Sequence, residues 1–132
     1  MKILFVSGVA PIVGDMPAAL ELFGETLGLE LQGDEYPATE KLDGVRHFGV
    51  WSLAGAAMSC FGTSSWPRQL PVPTATIEFE VDDVDRAAAE LERAGHRLLR
   101  GASDEPWGQR VARLQTGDGL LIAVTHTPWM HD

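Results

Sequence analysis

One cysteine, one tyrosine and ten basic residues against nineteen acidic ones mark what this 132-residue chain has little of. With Cys60 alone, no internal disulfide is possible, which excludes the stapled framework of a small secreted domain. Beside Met58 and Phe61 that thiol reads as buried, in a protein of the reducing cytoplasm. The shortage of Lys and Arg leaves a formal net charge of −9. Like charges repel and no basic run is present, so neither nucleic acid nor an anionic membrane surface is an expected partner, whereas a cationic ligand is favoured. No apolar run reaches the roughly eighteen residues that a membrane-spanning helix needs. The opening MKILFVSGVAPIVG looks like a signal peptide, but Ser7, Gly8 and Pro11 interrupt it, and we read it as a buried strand. A nucleophile elbow, a phosphate-binding glycine loop and a CxxC pair are all missing.

What is present suffices for one globular domain over residues 1–132: 45% apolar and 22% charged residues. The chain also repeats itself. In DMPAALELFGETLG, Asp15 stands as helix cap, Pro17 in the first turn, Leu20, Phe23 and Leu27 on one face, and Gly28 as the stop. DDVDRAAAELERAG, half the chain later, follows the same plan from Asp82 or Asp83 to Gly95. Each helix follows an apolar or alternating run (ILFVSGVAPI, TATIEFEV) and precedes a short one (LELQG, HRLLRG). Each half then closes with a hairpin. The first is VRHFGVWSL turning at Ala54-Gly55 into AAMSCF, and the second is QRVARLQ turning at Gly117-Asp118-Gly119 into LLIAV. The expected organisation is a βαβββ module over residues 1–62, a proline-rich connector over 62–74 and a second module over 75–126. Residues 33–43 read as a mobile loop over one edge of the first half.

The duplicated βαβββ unit, with PWG ahead of a hairpin turning on an acid-glycine pair, resembles the vicinal oxygen chelate superfamily of glyoxalases, extradiol dioxygenases and bleomycin-resistance proteins. EPWGQRVARLQTGDGLLIAV is most similar to the bleomycin-resistance branch. The resemblance implies an α+β fold in which two tandem βαβββ modules form curved mixed sheets around a cleft, with helices outside and a second subunit completing a homodimer. It also implies a divalent metal held by histidines and glutamates from the first and last strands of each half. Those places fall on Gly8, Ser59, Thr76 and Ala123, none of which replaces a histidine or carboxylate. The reading is therefore a protein with no metal site and no cofactor.

Strand alternation puts Thr76, Glu78 and Glu80 on one face and Ile77, Phe79 and Val81 on the other. The apolar set is expected under the helix, which turns both glutamates toward the cleft. Such a carboxylate attracts a cationic ligand or serves as a general base, and Glu78 is the catalytic candidate. The plainer reading of the same residues is a solvated face paired with Arg110 and Arg113. Trp51 and Trp107 are expected at the cleft, because aromatic faces suit flat or cationic molecules. Ser59, Thr76 and Phe61 complete the expected ligand-binding set. His126 and His131 belong to a tail that reads as surface.

The functional expectation is a metal-independent protein that binds a small organic molecule, sequestering a cationic or aromatic natural product. The alternatives are a metal-dependent lyase or dioxygenase with ligands relocated to His47, Glu78 and Glu80, and a metal-free isomerase using Glu78 as base. An interaction module with a vestigial cleft is a third.

Overall fold

In the computed structural model, which describes residues 1–131, the opening apolar run becomes the nine-residue strand β1 (Phe5–Val13). Asp15 then caps a helix through its carboxylate, which accepts the Ala18 N–H at 3.0 Å. α1 (Met16–Leu20) carries Pro17 in its first turn and widens into a π-helical stretch, Glu21–Thr26. It ends before Gly28, whose φ of +78° is strained for any residue with a Cβ. The expected strand in LELQG does not form; Gln32 makes one isolated bridge to Ala38. Three two-residue strands follow: β2 (Ala38–Thr39), β3 (Phe48–Gly49) and β4 (Trp51–Ser52).

Residues Leu53–Phe61, expected to turn at Ala54-Gly55 and return as a strand, form a helix instead, α2. The physical reason lies in the sequence. Ser52 is a ready N-cap whose hydroxyl accepts the Gly55 N–H at 3.0 Å. LAGAAMSCF has no β-branched residue, and Gly62 ends the helix in the left-handed region with φ of +74°.

The second half follows its expected plan more closely, with β5 (Ala75–Glu80), α3 (Val84–Arg93), β6 (Arg100–Asp104), β7 (Arg110–Gln115) and β8 (Leu121–His126). Asp83 rather than Asp82 is the cap, accepting the Arg86 N–H at 3.0 Å. A short 3₁₀ turn, Pro128–Met130, follows β8.

The fold is a mixed α+β arrangement with one curved eight-stranded sheet in the order β2-β3-β1-β5-β8-β7-β6, β4 pairing with β1 off that path. β1 and β5 run antiparallel and join the two halves within one chain. Alternation along β8 separates two cores. Val124 faces α3, packing with Val84, Ala87, Ala88 and Ala112. Leu121, on the opposite face, packs with Ile12 and with Ala56 and Cys60 of α2. α3 thus covers the outer face as expected. α2 lies on the opposite face, packed on Ile12 and Leu121.

Candidate functional site

Strand register assembles the centre of the inner face. Gly8 pairs with Glu78, Glu78 with Ala123, and Ala123 with Arg113. Residues in register across a sheet share a face, so Glu78 and Arg113 flank the Ala123 methyl group, and Gly8 leaves the space beyond Glu78 open. Across that gap Arg113 Nη1 reaches Glu78 Oε2 at 3.1 Å. The other Glu78 oxygen, Oε1, accepts from Gln109 Nε2 at 3.2 Å, and Gln109 Oε1 accepts from Trp107 Nε1 at 3.1 Å.

Arg113 is entirely buried, while the Glu78 side chain keeps 18% of its surface. Arg113 also ion-pairs with Glu105 at 3.4 Å and donates from Nε to Ser59 Oγ at 2.9 Å. Glu105, itself nearly sealed, is held on its other oxygen by Arg100. Burial works against charge on Arg113, but Glu78 and Glu105 outweigh it, so the guanidinium is held above its ordinary range and stays charged. Its plane lies over the Trp51 ring, 4.9 Å from the centroid.

Above this floor lies a cavity of about 560 Å³. Ser7 to Ala10 of β1 and Thr76 and Glu78 of β5 form its base, Tyr36, His47 and Trp51 one wall, and Trp107, Gln109 and the tail residues Thr127, Trp129 and Met130 the other. Trp107 and Trp129 are about half exposed, at 54% and 52%. The Thr76 hydroxyl is buried and has no hydrogen-bond partner among the described residues, although buried polar atoms are nearly always paired. On the wall, Tyr36 Oη lies 3.1 Å from His47 Nε2, and His47 Nδ1 lies 3.5 Å from Glu40. Burial first, and then the charge of Glu78, push the Tyr36 phenol well above its ordinary range, so it stays protonated.

The places that the resemblance assigns to a metal cage do not supply one. Gly8, Thr76 and Ala123 lie on the inner face but carry no imidazole or carboxylate. Ser59 sits on α2, where its hydroxyl donates to Glu105 at 2.9 Å and accepts from Arg113. His47 and Glu78 are the imidazole and carboxylate that line the cavity, and both Glu78 oxygens already accept from Arg113 and Gln109. An ion there would have to displace a buried guanidinium, so the donor set does not fit the family's metal.

Of the residues singled out in the sequence, Thr76, Glu78, Trp51 and Trp107 line the cavity. Three others do not. Glu80 shares the inner face but is fully buried, accepting from the Thr125 and Thr127 hydroxyls, the Thr127 N–H at 2.5 Å and His131 at 2.6 Å. The tail folds over it and shuts it from the cleft. Ser59 is drawn beneath the floor because α2 replaced a strand. Phe61, on the same helix, packs edge-on against Trp66 in the α2 core. Arg110 pairs with Asp85 of α3 and Asp104 of β6, leaving Arg113 as the partner of Glu78.

Tyr36, Gln109 and Trp129 line the cavity without being sequence candidates for it. Tyr36 arrives by a loop, and its hydroxyl packs on Gly49, where no Cβ stands in the way. Gln109 had a usable signal: it precedes β7 at the same alternation phase as Arg113.

Comparison with known proteins places these observations in context. The model of the Glyoxalase/Bleomycin resistance protein/Dioxygenase superfamily matches residues 7–124. A solved structure of a Streptomyces coelicolor methylmalonyl-CoA epimerase variant in complex with 2-nitronate-propionyl-CoA is similar with a TM-score of 0.62. It is 18% identical over 99% of both chains. Methylmalonyl-CoA epimerase from Mycobacterium tuberculosis gives 0.64 at 16% identity, covering 97% of this chain and 91% of that one. A superfamily member from Vibrio splendidus gives 0.63 at 14%, covering 96% and 100%. At these identities the likeness is one of fold. No curated protein sequence matches the chain.

Proposed function

The chain belongs to the glyoxalase/bleomycin resistance protein/dioxygenase superfamily, and from that premise we propose that it binds a small aromatic organic molecule in the inner-face cavity without a metal cage. The observation that carries this reading is the cavity wall itself: Trp51, Trp107 and Trp129 around a floor whose Glu78, Arg113 and Gln109 are already paired with one another. A flat apolar ligand body gains by stacking on such rings. Its polar edge meets the Thr76 hydroxyl, and a basic group on it meets Glu78. Because Arg113 balances Glu78, the aromatic body contributes more to affinity than the positive charge does. Sequestration of an aromatic, basic natural product, as in the bleomycin-resistance branch, is the concrete form of the proposal. A homodimer in the cytoplasm is the setting it carries with it, supported by the half-exposed Trp107 and Trp129 at the cavity mouth and by the lone, buried Cys60.

Titration of intrinsic tryptophan fluorescence with bleomycin, and in parallel with the anionic aromatic 1-anilinonaphthalene-8-sulfonate, tests the reading. Saturable quenching at one site per chain is expected, with Trp107→Ala weakening it about tenfold, or ~1.4 kcal/mol. Mass spectrometry should recover the bleomycin unchanged. Failure of both probes to bind saturably overturns the proposal.

A second reading is metal-free isomerisation with Glu78 as base, favoured by the Tyr36–His47 hydrogen bond on the same cavity wall, with Glu40 3.5 Å behind the imidazole. Against it, both Glu78 oxygens are engaged, so proton uptake competes with Gln109 and Arg113. Glu78→Gln should abolish turnover of any substrate found while sparing its binding; unchanged turnover removes Glu78 from that role.

A further inference from the structure

Where β5 and β8 end, three metal-binding side chains meet outside the cavity. Glu80, His126 and His131 each offer one donor atom, and those atoms lie within 4.8 Å of one another. We propose that they form a site for one divalent transition-metal ion of the Zn²⁺ class. Two imidazoles and one carboxylate are a donor set such ions take, leaving a coordination position open.

The surroundings are built for ligation. His126 Nδ1 lies 3.2 Å from the Val81 carbonyl. Donating its proton there leaves the lone pair on Nε2, the tautomer that ligates. His131 Nε2 is already 2.6 Å from Glu80 Oε2, with a proton between them that a metal ion would displace to solvent. The carboxylate is oriented from behind by the Thr125 and Thr127 hydroxyls at 3.0 and 2.9 Å and by the Thr127 N–H. These donors fix a ligand oxygen without occupying the imidazole side. The His126 and His131 rings lie 4.4 Å apart, so a small rotation of the partly exposed His131 brings both nitrogens to one ion. A chain of net charge −9 adds a long-range pull on cations.

This site is separate from the family's metal places at the centre of the sheet and does not depend on the ligand proposed for the cavity. It does touch the cavity wall indirectly. Trp129 and Met130 lie between Thr127 and His131, so an ion at this site fixes the segment that carries them.

Isothermal titration with ZnCl₂ of the chain carrying no added histidine tag, with MgCl₂ in parallel, is the test. One Zn²⁺ per chain and no Mg²⁺ are expected. His126→Ala and His131→Ala should each weaken Zn²⁺ by more than about tenfold. His96→Ala, which removes an exposed histidine elsewhere, should leave the affinity unchanged. Co²⁺ loaded in place of Zn²⁺ should show visible absorption bands that both site variants lose. Absence of Zn²⁺ binding to the natural chain, or a His126→Ala/His131→Ala double variant that binds as the natural chain does, overturns the proposal. An equal loss in His96→Ala does the same.

Discussion

Replacing Arg113 by methionine should be among the most damaging single substitutions in this molecule, although methionine fills much of the same volume. The guanidinium is fully buried, 3.1 Å from Glu78 and 3.4 Å from Glu105. With Arg100 on the far oxygen of Glu105, the four groups sum to zero charge. Methionine leaves Glu78 and Glu105 to one partly exposed cation, and an uncompensated buried charge costs about 3–5 kcal/mol. For a chain of this size that loss corresponds to roughly 10–20 °C in Tm. It is smaller than a typical total stability of about 5–15 kcal/mol, so the variant should still fold. Urea denaturation followed by circular dichroism reads the change. Adding Glu78→Gln to Arg113→Met removes one of the stranded charges and should restore about 1–2 kcal/mol. If Arg113→Met costs less than about 1 kcal/mol, or if the second substitution adds further damage, the buried charge balance is not what holds the floor.

Gly8→Ala should leave stability unchanged or raise it slightly, because the new Cβ meets the His47 carbonyl at 3.6 Å and Glu78 at 3.7 Å, ordinary contacts. The same methyl narrows the cavity base, so affinity for the aromatic probes should fall; thermal melts and fluorescence titration read the two effects separately. At Gly49, alanine would drive its Cβ into the Tyr36 hydroxyl, and a loss of about 1–3 kcal/mol is expected in denaturant melts. Burial pushes the Cys60 thiol up to about 11, so it should resist Ellman's reagent at pH 8 until the chain unfolds. The sign for stability follows: above the ordinary value of 9.0 the unfolded thiol ionises first, so stability is whole below pH 9 and falls toward pH 11. Cys60→Ala should flatten that decline in melts run across this range.

The caps, the helix stops and the Gly117-Asp118-Gly119 hairpin were legible because local chemistry decides them. A carboxylate at an N-cap or a glycine at positive φ needs no distant partner. Thr76, Glu78, Trp51 and Trp107 could be placed by alternation and turn chemistry alone. The misplacements share another cause. Leu53–Phe61 fits the repeat by position, although Ser52, Gly62 and the lack of β-branched residues argue for a helix locally. Once that segment became α2, Ser59 and Phe61 left the cleft with it. The fate of Glu80 was decided by Thr127 and His131, more than forty residues away in sequence, and no short-range pattern carries that information. Arg113 read as a surface partner because its burial depends on α2 supplying Ser59 beneath it.

The helix that stands where a returning strand was expected has a consequence for the way a guest can lie. A true duplication would offer a bound molecule two equivalent halves related by a dyad between β1 and β5, and a flat ligand could enter in either of two orientations. Here one half presents Tyr36, His47 and Trp51, and the other presents Trp107, Gln109 and Arg113. The two orientations are no longer degenerate. A flat guest should therefore settle in one orientation in this cavity even where every contact is apolar.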